Sequence, residues 1–202
     1  MKAILVHGMG RTPASMLMMA AHLKKHGIRS HYFAYTVTLE SWKNCSSRLE
    51  TFINQRTEAD DYIIIGHSLG TVLTRAVLTK LKHPPKACFF LAPPTTACFS
   101  AKKLSSWWLY KGLMGEMGQL LANDDFMNHL PIPHVPTKIY AGVAGLQGKY
   151  SPFGSDLNDG VLMLDETKLH NIPLQTVPAL HTFIMNHKAV IDDIMAITKT
   201  YV

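Results

Sequence analysis

The chain has 202 residues, 47% of them apolar, with ordinary numbers of glycine and proline; this suits one domain with a substantial core and excludes a disordered or low-complexity chain. Its net charge of +6 comes from scattered Lys and Arg and accompanies no nucleic-acid motif, so nucleic acid is excluded as a partner and weak contact with an anionic membrane surface is the most the charge supports. The densest basic stretch, residues 80–86, reads as a helix end and its exit loop, where cations favour the helix dipole.

The first strand covers residues 3–6, a continuous apolar run as in a strand buried on both faces. After the loop His7-Gly8-Met9-Gly10, Thr12 is expected to cap a helix with Pro13 at its first position; Met16, Met19, Ala20 and Leu23 form its apolar stripe and Gly27 ends it. A second strand is expected at 31–35. Ser41 then opens a helix striped with Trp42, Cys45, Leu49, Phe52 and Ile53. The third strand, 62–65, runs into a helix at 69–81 that is apolar nearly all round. Strands at 87–91, 138–141 and 174–177 follow, then a helix from about 182 to 199.

This alternation predicts a three-layer, doubly wound α/β fold with a mainly parallel sheet of about six strands. It breaks once. Residues 99–134 contain no strand-like run, and Trp107, Tyr110, Met114, Met117 and Leu121 recur there at helical spacing. The expectation is a single domain, 1–202, with 99–134 as a helical cap over the strand ends.

Residues 66–70 spell Gly66-His67-Ser68-Leu69-Gly70 between a β-branched strand and an apolar helix. A serine at such a turn sits in a strained backbone with its hydroxyl above the sheet edge, and the flanking glycines leave room for close packing. Ser68 is therefore the candidate nucleophile. The three cysteines, Cys45, Cys88 and Cys98, have neither metal nor redox spacing. With no charged-then-apolar leader before the first strand and no apolar run long enough to span a membrane, a cytoplasmic location with reduced thiols is expected.

Four separated pieces occur in a telling order: Val6-His7-Gly8 after the first strand, residues 66–70 after the third, Asn158-Asp159-Gly160-Val161 after the fifth, and His181 after the sixth. On these the chain resembles the alpha/beta-hydrolase family, in particular its compact lipase and esterase branch, which includes bacterial triacylglycerol lipases and GPI inositol-deacylase-like proteins. The resemblance implies that Ser68 attacks an acyl carbonyl, that His181 takes its proton and returns it to the leaving group, and that Asp159 orients the imidazole. It further implies an oxyanion hole made by the backbone N–H groups of Met9 and Leu69. Asp156 and Asp165 remain rivals of Asp159, which Asn-Asp-Gly would place in a turn in any case.

Other histidines have plainer readings. His7 organises its loop, His67 is a variable elbow residue, His187 lies inside the last helix, and His170 sits at the far end of the sixth strand. His22 and His26 are one turn apart on a solvated face. No metal or cofactor is called for. Trp107, Trp108, Tyr110 and Met114 make the expected cap apolar and would line the substrate site, which favours small-molecule esters with an apolar acyl or aryl group.

Three alternatives stand beside an esterase. A thioesterase or acyltransferase would share the same acyl-enzyme. A non-catalytic lipid-binding or scaffold protein would share the fold. A nucleotide-binding domain is disfavoured, because Pro13 stands where a G-x-G-x-x-G loop needs its third glycine.

Overall fold

The structure, a computed structural model, describes residues 1–58, 60–104 and 108–201, with the backbone alone at 104 and 108–111. Six strands, β1 (Lys2–Val6), β2 (Arg29–Phe33), β3 (Tyr62–His67), β4 (Ala87–Leu91), β5 (Thr137–Gly142) and β6 (Leu174–Val177), form one sheet in the order β2-β1-β3-β4-β5-β6. Every pairing is parallel.

Alternate residues of the central strands feed two cores, as the two-residue period of a strand requires. On one face Ile4, Val6, Ile64, Cys88, Phe90 and Ile139 pack with α2 (Trp42–Thr57) and α3 (Leu69–Leu78). On the other, Ala3, Leu5, Ile63, Ile65, Phe89 and Tyr140 pack with α1 (Leu17–Lys25) and α7 (Lys188–Thr198). Each fully buried Leu or Ile contributes roughly 1.5–3 kcal/mol. Surface ion pairs such as Lys102–Asp124 contribute at most about 1 kcal/mol, so the two apolar layers hold the fold.

Between β4 and β5 lie α4 (Phe99–Leu104), α5 (Trp108–Leu120) and α6 (Asp124–Asn128). Asn123 caps α6, its side chain accepting from the Phe126 N–H at 2.9 Å. Met117 and Leu121 enter the core shared with α2 and α3. A kink in α5 at Gly115 (φ 54°) lets the backbone come close to the segment after β2, where a Cβ would stand 2.4 Å from the Val37 carbonyl oxygen. Glu116 accepts the Trp42 N–H at 2.8 Å, and Thr38 Oγ1 donates to the Leu113 carbonyl at 2.6 Å. The helical region is thus tied to the connection between β2 and α2.

Several boundaries differ from expectation. The first helix opens as a 3-10 turn, Pro13–Met16, and the Thr12 side chain makes no cap bond; instead Ser15 Oγ donates to the Thr12 carbonyl. β2 starts and ends two residues early, because Lys2 pairs with Arg29. The third helix stops at Leu78 rather than 81. The last helix is broken: His181–Asn186 is a 3-10 segment and His187 is extended (φ −72°, ψ 126°), so His187 precedes α7 instead of lying within a helix.

All three cysteines are free and buried, and burial pushes the thiols of Cys45 and Cys98 up to about 12 and about 11. Among the described residues, no helix is long and apolar enough to cross a membrane.

Candidate active site

The chain turns from β1 out to β2 and then crosses to β3 on the other side of β1, so the switch in strand order falls between β1 and β3. In open α/β sheets such a switch leaves a crevice at the carboxyl ends of the strands. Val6 pairs with Gly66, which brings the loops that begin at His7 and Ser68 side by side.

β3 continues past its apolar run to His67 before the chain reverses at Ser68 (φ 49°, ψ −121°). Among the described residues, four non-glycine residues, Glu58, Ser68, Ala92 and His170, adopt positive φ, and such a backbone costs of order 1–3 kcal/mol. The Ser68 N–H is held by the Leu91 carbonyl at 2.9 Å, and its own carbonyl accepts from Thr71 N and Oγ1 at 2.8 and 2.7 Å. Serine is a favoured helix cap, yet the Ser68 side chain makes no cap bond. The turn therefore leaves the hydroxyl uncommitted to α3. Gly70 is required by contact: a Cβ there would stand 2.4 Å from the Val6 oxygen and 2.6 Å from the His7 oxygen.

The turn after β1 is closed by Arg11 N–H donating to the Gly8 carbonyl at 3.3 Å, with Gly10 at φ 65°. His7 is buried and stacks on Tyr35 at 4.4 Å. The Tyr35 hydroxyl donates to the His7 carbonyl at 2.8 Å, and His7 Nδ1 lies 2.9 Å from the Gly8 oxygen. A Cβ at Gly8 would meet His67 Nδ1 at 2.6 Å and Ser68 Cβ at 3.1 Å, so this turn lies directly against the elbow. Met9 packs its side chain on the core. Leu69 opens α3, where first-turn N–H groups have no intrahelical acceptor.

β5 and β6 deliver the other two candidates. Asp159 Oδ2 lies 2.7 Å from His181 Nδ1, with both side chains almost wholly buried. Asp159 Oδ1 accepts the N–H groups of Val161 and Leu162 at 2.9 and 2.7 Å. Asn158 braces the turn, its amide donating to Leu146 and Asp156 carbonyls while Oδ1 accepts Gly160 N–H. At Gly142, the last residue of β5, a Cβ would stand 2.4 Å from the Ala179 oxygen and 2.9 Å from Asp159 Cβ, so both loops crowd this one backbone position.

His67 links the two halves. Its ring is fully buried, Nε2 lies 2.9 Å from the His181 carbonyl oxygen, and the two rings stand 5.0 Å apart. With Nε2–H donating to that carbonyl, Nδ1 is left as an acceptor, and it has no partner. Burial above all, then the charge of His181, holds the His67 pKa well below the usual histidine value; burial also lowers His7.

The rival carboxylates stand outside this cluster. Asp156 and Asp165 are exposed, and Asp165 pairs with Lys168 at 2.6 Å. His170 is exposed in a left-handed turn (φ 46°), and the Nδ1 atoms of His22 and His26 face carbonyls of their own helix. No group of three His, Cys, Asp or Glu that would hold a metal occurs among the described residues. Met114 is half-buried against the core. Trp107 and the side chains of Trp108 and Tyr110 lie outside the described residues.

Sequence reasoning overlooked three contributors. His67 was hidden in a variable position of the elbow. Tyr35 read as strand core, although it lies beyond β2 and serves the turn after β1. Glu166 gave no signal at all: it is buried, accepts the N–H groups of Phe99 and Met163 at 2.5 and 2.8 Å, and has its pKa raised chiefly by burial. It thereby fastens the entry of the helical region to the Asp159 turn.

No protein-family model matches the sequence, and no curated protein matches it. Solved structures do. A mature lipase from Bacillus licheniformis aligns over 97% of this chain and 91% of its own, at 16% identity and TM-score 0.78. A thioesterase from the prodiginine biosynthetic pathway of Streptomyces coelicolor aligns over 100% and 86%, at 12% identity and TM-score 0.63. An extracellular alpha/beta-hydrolase from a Paenibacillus species aligns over 98% of each chain, at 13% identity and TM-score 0.63. The chain has the alpha/beta-hydrolase fold.

Proposed function

We propose that the protein is a serine hydrolase that cleaves carboxylic esters through an acyl-enzyme on Ser68. In this reading His181 is the general base and then the general acid, and Asp159 holds the imidazole with Nδ1 protonated so that Nε2 can accept the Ser68 proton. Leu69 and Met9 N–H groups stabilise the tetrahedral oxyanion; losing one such donor typically costs about 2.7–4 kcal/mol. Residues 99–134 act as a cap, and its apolar side chains, Trp107, Trp108, Tyr110 and Met114, face an acyl or aryl group.

The observation that carries the reading is the conformation of Ser68. A strained serine that declines the helix-cap bond open to it has a hydroxyl kept for another purpose. The buried Asp159–His181 pair on neighbouring loops supports it, as does the fold shared with lipases and esterases.

The test is labelling with a fluorophosphonate probe followed by peptide mapping, together with hydrolysis of 4-nitrophenyl esters of graded acyl length. An adduct on Ser68 and turnover lost in Ser68→Ala are expected. An unlabelled protein without esterase activity overturns the reading and favours a binding role. The likeness to a thioesterase favours a second reading with the same residues, in which the scissile bond is a thioester. Matched oxygen esters and thioesters of one acyl group separate the two by their ratio of kcat/KM.

A further inference from the structure

A cavity of about 180 Å3 opens between the turn after β1 and residues 35–38, lined in part by His7, Gly8, Gly10, Arg11, Tyr35 and Thr36. An apolar cavity of roughly 150 Å3 accommodates one benzene ring, so this space suits a short arm of a ligand and not a long acyl chain. It borders Gly8, which abuts Ser68. Most polar groups around it are already engaged. The Tyr35 hydroxyl is given to the His7 carbonyl, Thr38 Oγ1 to the Leu113 carbonyl, and His7 Nδ1 to the Gly8 carbonyl. Glu40, the carboxylate closest in sequence, is taken by Arg48 and by the Thr36 N–H.

Two groups are exceptions: the buried His7 Nε2, which has no hydrogen-bond partner among the described residues, and Arg11. Arg11 is half-buried and lines the cavity, and among the described residues its guanidinium has no carboxylate or carbonyl partner. The carboxylate of the adjacent site, Asp159, is occupied by His181 and two backbone N–H groups. His7 and His67 are buried and favour their neutral forms, so the fixed charge at this cavity is the cation of Arg11. A guanidinium offers N–H groups in a planar fork that matches two oxygens of a carboxylate or phosphate.

We propose that this cavity binds an anionic group, carboxylate or phosphate, carried by the ester substrate near its scissile bond, with Arg11 as the recognition residue. The proposal rests on Ser68 being the nucleophile, and it narrows the substrates from neutral esters to short acidic ones.

The experiment compares matched substrates in each protein. One arm sets the 4-nitrophenyl half-ester of glutaric acid against its methyl-capped neutral form, placing a carboxylate on the acyl side. The other sets the acetyl ester of glycerol 3-phosphate against glycerol monoacetate, placing a phosphate on the alcohol side. In at least one arm kcat/KM should favour the anionic member by about tenfold or more in the wild type, chiefly through KM. The ratio should fall to about one in Arg11→Ala, recover in part in Arg11→Lys, and invert in Arg11→Glu. The arm that responds identifies the anion.

Binding of glutarate and inorganic phosphate to Ser68→Ala, measured by calorimetry with and without Arg11→Ala, gives a readout independent of turnover. Binding of one anion that Arg11→Ala abolishes is expected. Ratios near one in both wild-type arms, or a preference that survives in Arg11→Ala, overturn the proposal while Ser68 labelling leaves the hydrolase reading intact. Loss of labelling and of all ester turnover overturns the hydrolase reading, and the proposal with it.

Discussion

Asp159 and His181 are joined twice. The carboxylate Oδ2 stands 2.7 Å from the imidazole Nδ1, and the His181 N–H donates to the Asp159 carbonyl at 2.9 Å. The second bond locks the loops together at the backbone, so the first is a contact between two fixed groups, not between two mobile side chains.

Replacing Asp159 should therefore separate chemistry from folding. In Asp159→Asn the amide oxygen can still accept the N–H groups of Val161 and Leu162, so the circular dichroism spectrum should be unchanged. Turnover of an activated ester should fall by about 10⁴-fold, because the imidazole loses its orienting charge and tautomer. Asp156→Asn and Asp165→Asn, at exposed sites outside the cluster, should stay within a few-fold of wild type.

The backbone at position 68 gives a prediction about stability. Glycine adopts positive φ without the clash that a Cβ brings. Ser68→Gly should be more stable than Ser68→Ala by about 1 kcal/mol in urea unfolding, since only the first relieves the strain. Both should be inactive. Equal stabilities would mean that the turn at φ 49° costs the fold nothing.

Much of this arrangement was legible in the sequence. β4 and β6 fall at the expected residues because each is a short apolar or β-branched run bounded by turns. The parallel pairing of the strands follows from their alternation with helices, whereas the reversal that places β2 outside β1 has no counterpart in the pattern. What escaped were positions where polar groups hold shape. β3 outruns its apolar segment to include His67, because the imidazole is paid for by the His181 carbonyl rather than by apolar packing. The break at His187 is silent because 3-10 and α segments both repeat at three to four residues, so one stripe runs through both. For the site, the motif order pointed to Ser68, Asp159 and His181, while Arg11 and Tyr35 acquire their surroundings only when β2 is laid beside β1.

Close packing at the elbow makes Gly70 intolerant of substitution. A methyl group at this position meets backbone oxygens of Val6 and His7 at 2.4 and 2.6 Å, and backbone does not rotate away. Gly70→Ala should lose roughly 1–3 kcal/mol of stability. It should also lower kcat by more than it raises KM, since the turn holding Met9 is pushed from its place. Urea titration and steady-state kinetics measure the two effects.

The buried imidazoles make stability depend on pH. The folded-state pKa of His67 is well below its value in the unfolded chain, and that of His7 is lowered too. Between each folded pKa and about 6.5 the unfolded chain binds more protons, so their contribution is complete above about pH 6.5 and is lost as the pH falls below it. Unfolding free energy should drop on going from pH 7 to pH 5, each group adding a slope of up to about 1.4 kcal/mol per pH unit. His67→Gln, whose amide can donate to the His181 carbonyl, should flatten that slope; an unchanged slope would assign the acid sensitivity elsewhere.

The sealed thiols of Cys45, Cys88 and Cys98 have a practical corollary. Maleimides and iodoacetamide attack thiolates they can reach, and the native protein offers them none of these three. One cysteine engineered onto an exposed position of the helical region would then take a fluorophore or spin label by itself, without first stripping the endogenous sulfurs from the sequence.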